Sequence, residues 1–326
     1  MAVFPARVVP RIMYGMRPLE LLAPAKVNLV LRVGPVEPNG FHPLASWMCT
    51  VALFDKLTVA RSSQPGVSFR CDDPAMPTGT ANLVVRAANR LMNEASLHQA
   101  CAAEAGGASS ISGVSISLEK RIPPAAGLGG GSSDAAATLV AINQLLEHQL
   151  SRARLVEEAA ALGSDVPFFF AAPSAWCTGR GEKTLPLAPP RVAQWVMLAF
   201  PSFGLSTAAV YRRLDELRTN GSSALNSLEY LQPPVDLSEY PDLPARSLLG
   251  RLQNDLETPA FDLRPELGDL RQSIERKIDR PVRMSGSGST LFSLFDTEAE
   301  AVATSAAVNE HFGVRVLPAQ LAPAPF

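Results

Sequence analysis

The sequence predicts an α+β protein of two domains with a ligand cleft between them. Strand-like and helix-like periodicities alternate through both halves of the chain, as layered α+β domains require. The 326 residues, 47% hydrophobic and 18% charged, are enough for more than one core. A glycine-rich loop joins a strand to a helix in the first half, and a second small-residue loop abuts a strand in the second.

Composition narrows the function. A formal net charge of −2 offers no basic field for nucleic acid. Cys49, Cys71, Cys101 and Cys177 form no CxxC pair and read as reduced cytoplasmic thiols without a zinc site. No apolar run approaches the roughly 20 residues that cross a membrane. Residues 1–16 carry Arg7 and Arg11, no acid, and Pro5 and Pro10, but neither an apolar signal core nor a serine-rich transit pattern. They read as a disordered extension, or as sequence upstream of a start at Met13 or Met16.

Taken in order, Leu19 to Leu22 and Val27 to Leu31 suit two strands broken by Ala23-Pro24-Ala25. Lys26 and Asn28 lie two apart, so on an extended chain both leave one face and can meet one ligand; the plainer reading is a lysine on a strand edge. A turn at Glu37-Pro38-Asn39-Gly40 leads into Phe41-His42, where a lone histidine is by default a surface or capping residue. Strands are expected at Trp47 to Val51, Lys56 to Ala60 and Val67 to Cys71. Thr80 is placed to cap a helix from Ala81 to about Ala95, with Asn82 in its first turn. Gly106 to Gly113 reads as a surface loop.

Val114, Ile116 and Leu118 then alternate with polar residues as a strand, and Leu139, Ile142, Leu145 and Leu146 repeat at helical spacing. Between them runs KRIPPAAGLGGGSSDAAA, with Gly127 and Gly129 to Gly131 removing every Cβ that would hold a ligand off the backbone. Backbone N–H groups there, with the first turn and dipole of the following helix, suit a phosphate chain. Ser132 and Ser133 add hydroxyls, and Asp134 serves the anion site or caps the helix. The Walker pattern fails because Ser132 follows Gly131, and the dinucleotide fingerprint fails because Ser132 occupies its sixth place. A plain flexible loop is the bland alternative.

Ser151 caps a helix that runs to Leu162 and ends at Gly163. Asp165 precedes the apolar run Val166 to Phe170, either as a carboxylate held at the lip of a core or as a cap. Trp195 to Phe200 is a strand, followed by a helix carrying Val210, Leu214 and Leu217, on which Tyr211 is by default a core-edge aromatic. Beyond the proline-rich stretch Pro233 to Pro244, two helices are expected, through Leu248, Leu252 and Leu256 and through Leu267, Leu270, Ile274 and Ile278. Met284 to Thr290 leads into a strand at Leu291 to Phe295. Thr297 and Glu300 form a capping box, Val314 to Leu317 is a last strand, and the Ala/Pro tail frays.

Pro123 to Ala136, with its GLGGGSSDAA core, resembles the phosphate loop of the GHMP small-molecule kinases. Ala23 to Leu44 resembles the amino-terminal signature of one branch acting on a cytidine diphospho-alcohol, with Asn39 for its usual acid and Phe41 for its tyrosine. LGSDVPFF at 162–169, the turn Gly179 to Glu182, Asn254 to Glu257 and Met284 to Thr290 resemble further segments of that branch.

The resemblance implies a two-domain GHMP kinase with its active site in the inter-domain cleft, an ATP-binding domain at 17–180 and a substrate-binding domain at 181–326. It implies transfer of phosphate from ATP, with Mg²⁺, to a hydroxyl of the cytidine diphospho-alcohol in a non-mevalonate isoprenoid route. Asp165 would be the base and Lys26 would hold the hydroxyl and the developing charge. Asn28, Phe41, His42, Thr207 and Tyr211 would meet the substrate, the two aromatics flanking the base and a His42 ring nitrogen addressing its edge. Asn82, Leu83 and Lys120 would lie near adenine; otherwise Asn82 merely tops its helix and Lys120 solvates a strand end. Pro123, Gly127, Leu128, Gly129, Gly130, Gly131, Ser132 and Ser133 would surround the phosphates, Ser133 also touching the metal. The chain is expected to be a cytoplasmic monomer or weak homodimer. Homoserine or mevalonate kinase is the alternative within the family, and a catalytically silent ligand sensor the alternative outside it; the presence of both Lys26 and Asp165 argues against the sensor.

Overall fold

A computed structural model describes residues 17–103, 112–146, 149–219 and 228–326, with the side chains of 95–103, 219, 228 and 229 left aside. The extension read at 1–16 and nearly all of the loop read at 106–113 therefore lie outside the described residues, as does the side chain of Cys101.

The chain opens with two long antiparallel strands, β1 (Leu19–Val33) and β2 (Leu44–Ser62). Each replaces two shorter strands expected from the sequence. Pro24 cannot donate to a ladder, yet it does not end β1: the register slips between Pro24 and Ala25, a bulge that absorbs the missing N–H while the strand runs on. A second slip between Asn28 and Val30 follows directly after the lysine–asparagine pair.

Next come β3 (Gly66–Cys71), α1 (Leu83–Ala103) and β4 (Gly113–Glu119), then α2 (Gly130–Leu145), α3 (Arg152–Leu162), α4 (Phe168–Ala171), β5 (Ser174–Gly179) and β6 (Lys183–Pro186). Asn82, not Thr80, caps α1: its Oδ1 accepts the Val84 N–H at 2.9 Å. Ser151 caps α3 by accepting from the Arg154 N–H. Ala135, Ala136, Ala137 and Ala141 on α2 are fully buried, and their small side chains let the helix sit close to β1. Phe168 and Phe169 are buried just after Asp165; at about 1.5–3 kcal/mol for each such side chain, they fix the carboxylate at the edge of that core.

The second half supplies β7 (Trp195–Phe200), α5 (Thr207–Thr219), α6 (Ala245–Leu249), β8 (Gln253–Asn254), α7 (Glu257–Leu263), α8 (Pro265–Ile278), β9 (Arg283–Met284), β10 (Leu291–Phe295), α9 (Glu298–Phe312) and β11 (Arg315–Gln320). Thr297 caps α9 by accepting the Glu300 N–H. The single helix expected through Leu248, Leu252 and Leu256 is instead broken, because residues 253–254 extend and pair parallel with β1. The tail does not fray: Leu321 bridges to Val51, and the Thr50 hydroxyl donates to Pro323 O at 2.7 Å.

One sheet has the order β3-β4-β2-β1-β8, with the β5–β6 hairpin also paired to β2; the other has the order β11-β7-β10-β9. The chain passes from one sheet to the other between Pro186 and Trp195. Fold class follows the expectation, α+β in two layered halves.

Candidate active site

The strand β4 delivers the chain into the glycine loop, and α2 carries it away. Gly129 takes a left-handed backbone (φ 67°) at the helix start, with no side chain capping the end. The first intrahelical bond is Ser133 N–H to Gly129 O, at 2.9 Å, so the N–H groups of Gly130, Gly131 and Ser132 are left for a guest. Helix dipole and converging donors together favour an anion. The glycines divide by what they approach. A Cβ on Gly127 would lie 2.2 Å from Ser285 O, and one on Gly130 would lie 2.9 Å from Ile122 Cγ2, so both are bare for protein packing. Gly131 faces open space, with Leu83 Cδ1 at 3.8 Å its nearest neighbour.

Most expected phosphate and adenine residues line one cleft: Leu83, Lys120, Pro123, Gly127 to Gly131 and Ser132. Two do not. Ser133 is fully buried behind the loop, its hydroxyl without a hydrogen-bond partner. Asn82 is buried and occupied by its cap and by donation to Pro77 O at 2.8 Å.

Lys120 is not a solvated strand end. Its ammonium is buried between Asp55, on β2, and Asp134, on α2, the latter at 2.9 Å. Asp55 also accepts the N–H groups of Arg121 (2.6 Å) and Ile122 (2.9 Å), whereas Asp134 Oδ1 has no partner. Burial pushes the Asp134 carboxyl up to about 8, against the pull of Lys120. Burial opposes the Lys120 charge too, but the two carboxylates outweigh it and raise its pKa. One cation between two buried acids leaves a negative excess, and the proton that relieves it belongs on Asp134.

Across the loop, Lys26 and Asn28 do share a face. The Lys26 ammonium donates to Asn28 Oδ1 at 2.6 Å and to Gly127 O at 3.1 Å, and lies 3.4 Å from Asp165 Oδ2. It is nearly inaccessible, while Asp165 keeps 30% of its side chain exposed. A fixed cation beside a reachable carboxylate, next to an anion cradle, can hold a hydroxyl, accept its proton and stabilise charge.

The far end of the cleft is aromatic. Phe41 is half exposed, with the Arg180 guanidinium 4.9 Å above its ring. His42 packs against Tyr211, ring centroids 5.2 Å apart; its Nδ1 meets Gly34 O at 2.9 Å and its Nε2 meets Asp215 at 3.3 Å. Both nitrogens therefore already have protein partners. Thr207 reaches Ser287, hydroxyl to hydroxyl, at 2.8 Å. Burial raises the Tyr211 phenol. Arg180, from the turn at 179–182, lines the same cleft of about 920 Å³, as do Arg212, Asp215 and Met76, which lie outside the motifs legible in the sequence. Asp215 was findable: it follows Thr207 and Tyr211 at four-residue steps on one helix face. Among the described residues, no group of three or more His, Cys, Asp or Glu side chains could hold a metal, and no helix is long and apolar enough to cross a membrane.

Comparison with known proteins agrees with this layout. The model for the GHMP kinases N terminal domain matches residues 82–172, and that for the GHMP kinases C terminal domain matches residues 241–314. A 4-diphosphocytidyl-2-C-methyl-D-erythritol kinase of Syntrophotalea carbinolica is 35% identical over 298 residues, 91% of this chain and 96% of its own. Its counterpart in Pelobacter propionicus is 37% identical over 298 residues, 91% and 97% of the two chains. A crystal structure of a 4-(cytidine 5'-diphospho)-2C-methyl-D-erythritol kinase superposes with a TM-score of 0.70 at 34% identity, covering 94% of this chain and 100% of that one.

Proposed function

The chain belongs to the GHMP kinase family, among its 4-diphosphocytidyl-2-C-methyl-D-erythritol kinases, and from that premise we propose that it phosphorylates the 2-hydroxyl of 4-diphosphocytidyl-2-C-methyl-D-erythritol with ATP, serving isoprenoid precursor synthesis. The observation that carries the reading is the Lys26–Asp165 pair, set where the anion cradle and the aromatic end of the cleft meet.

In this reading the triphosphate lies on the N–H groups of Gly130, Gly131 and Ser132, with the adenine toward Leu83 and Pro123. The cytidine end of the substrate lies among Phe41, His42 and Tyr211, and its alcohol reaches Asp165. Asp165 takes the hydroxyl proton as the new O–P bond forms and the bond from the γ-phosphorus to its bridging oxygen breaks; ADP leaves. Lys26, positioned by Asn28 and Gly127 O, holds the hydroxyl oxygen and offsets the charge that gathers on the transferred group. Positioning and fixed charge suffice, since phosphoryl transfer needs little covalent help.

Mg²⁺ fits as a passenger of ATP, because the cleft offers the Ser132 hydroxyl and, among the described residues, no cluster of acids that could hold a metal by itself. Bound there, it would neutralise phosphate charge. Ser133 faces the interior and is not a ligand in this reading.

The test is ATP consumption by the purified chain, with the cytidine diphospho-alcohol, homoserine and mevalonate offered in turn. ADP released with the first alone supports the proposal. Turnover of homoserine or mevalonate in its place replaces the substrate, and hydrolysis with none of them rejects the kinase reading.

A further inference from the structure

The segment Asn254-Asp255-Leu256-Glu257 has no place in the chemistry above, yet the side chains of Asn254, Asp255 and Glu257 all hold backbone groups of other segments. It enters the first sheet from the second half: Val30 pairs with Gln253 and Leu31 with Asn254, and the Asp255 N–H donates to Leu31 O at 3.0 Å. Asn254 ends β8 and Asp255 begins the turn that follows, and their side chains make their hydrogen bonds in different parts of the site.

Asn254 goes to the 284–290 loop, which braces the phosphate loop and also meets two residues expected at the substrate: the Asn28 N–H donates to Ser285 Oγ at 3.3 Å, and the Thr207 and Ser287 hydroxyls meet at 2.8 Å. The Asn254 Nδ2 donates to Met284 O (2.9 Å) and Gly286 O (2.8 Å), and Glu257 accepts the Met284 N–H (2.8 Å). The loop so held lies against the phosphate loop. Ser285 Oγ donates to Gly127 O at 3.0 Å, and the Thr290 N–H to Ala126 O at 3.3 Å. Gly127 O is also an acceptor of the Lys26 ammonium.

Asp255 goes to the other side. Its carboxylate accepts from the Val33 N–H (2.8 Å), the Tyr230 hydroxyl (2.7 Å) and Arg218 (3.3 Å). Arg218 in turn donates to Val33 O (2.7 Å) and Gly34 O (3.0 Å), and Gly34 O is the carbonyl that orients the His42 ring. The stretch from Gly34 to Pro43, which carries Phe41 and His42, thus starts from an anchor set by Asp255.

We infer that Asn254 and Asp255 are positioning residues that act through separate elements, Asn254 on the phosphate loop and the reacting centre through the 284–290 loop, and Asp255 on the cytidine end alone through Arg218 and Gly34. The assignment of substrates rests on the proposed function; the division of labour rests on the hydrogen bonds alone.

Hydrogen exchange and steady-state kinetics on the full chain test both. Asn254→Ala should speed amide exchange in 284–290 by about tenfold or more while leaving 34–43 near wild type, and Asp255→Asn should do the reverse. Asp255→Asn should raise KM for the cytidine substrate about tenfold and leave KM for ATP within about twofold, whereas Asn254→Ala should raise KM for ATP about tenfold and lower kcat as well. Should either variant fold poorly, Asn254→Ser, which keeps one donor, and Arg218→Met, which frees Gly34 O while sparing Asp255, carry the same comparison. Loosening of both segments by either variant, or a rise of KM for ATP in Asp255→Asn, overturns the inference. A wild-type chain inert toward the cytidine substrate would reject the substrate assignment, while the exchange pattern would still decide the division.

Discussion

Gly131→Ala separates stability from nucleotide binding. The residue sits in the first turn of α2 with helical backbone, and a Cβ there would meet only Leu83 Cδ1, at the ordinary contact distance of 3.8 Å. Replacing a helical glycine that has room for a methyl stabilises by about 0.4–1 kcal/mol. For a chain of 326 residues that raises Tm by about 0.5–1.5 °C. The same methyl projects where the loop N–H groups converge, so the phosphate must retreat and lose a charge-assisted hydrogen bond, worth about 1.5–3 kcal/mol. ATP Kd should therefore rise about ten- to a hundredfold. Gly130→Ala is the control: its Cβ would crowd Ile122 Cγ2 at 2.9 Å, and overpacking of that kind costs about 1–3 kcal/mol. Calorimetric titration with ATP and thermal unfolding of both variants give the answer. Wild-type ATP affinity in Gly131→Ala would refute the placement of the phosphates, and equal destabilisation of the two variants would refute the packing argument.

Asp165→Asn keeps the shape and removes the basic lone pair; kcat should fall by at least about 10² with ATP affinity by calorimetry little changed, and a near-normal kcat would remove Asp165 from the role of base. Asp134 sheds its proton near 3.8 when unfolded but holds it to about 8 when folded, so the unfolded state binds fewer protons in that window and stability should fall as pH rises through it. Asp134→Asn should flatten this slope in urea unfolding series at several pH values; a slope unchanged from wild type would place the proton elsewhere. Phe41→Ala and Tyr211→Ala should each raise KM for the cytidine substrate about ten- to a hundredfold, and Phe41→Tyr should change it by no more than about tenfold. A rise in KM for ATP in their place would move these aromatics to the nucleotide side.

What the sequence made legible was local chemistry. The strand, glycine loop and helix around Gly127 to Gly131 were readable because glycine content and periodicity are short-range signals, as were the caps at Ser151 and Thr297. The shared face of Lys26 and Asn28 followed from the two-residue period of a strand. The failures were tertiary. Pro24 looked like a break because a bulge that rescues it depends on the facing strand. Leu248, Leu252 and Leu256 have helical spacing, but the edge of β1 claims residues 253–254 for a strand, and no local pattern announces that edge. Ser133 read as a phosphate ligand because adjacent hydroxyls look alike in sequence, whereas successive residues of a helix point about 100° apart and only Ser132 reaches the cleft. The burial of Lys120 needed Asp55 from a strand 65 residues away.

The insertion of residues 253–254 beside β1 bears on the order in which the protein can mature on the ribosome. Synthesis runs from the amino terminus and domains generally fold as they emerge. The glycine loop at 127–131 is made early, but its floor is made late: Ser285 and Thr290 must reach Gly127 and Ala126, and Asn254 must hold Gly286. A nascent chain that has exposed the whole of α2 still lacks the surface against which that loop is set. Competence for nucleotide therefore waits until residues 254–290 have emerged and closed back onto the loop and strands that were made before them.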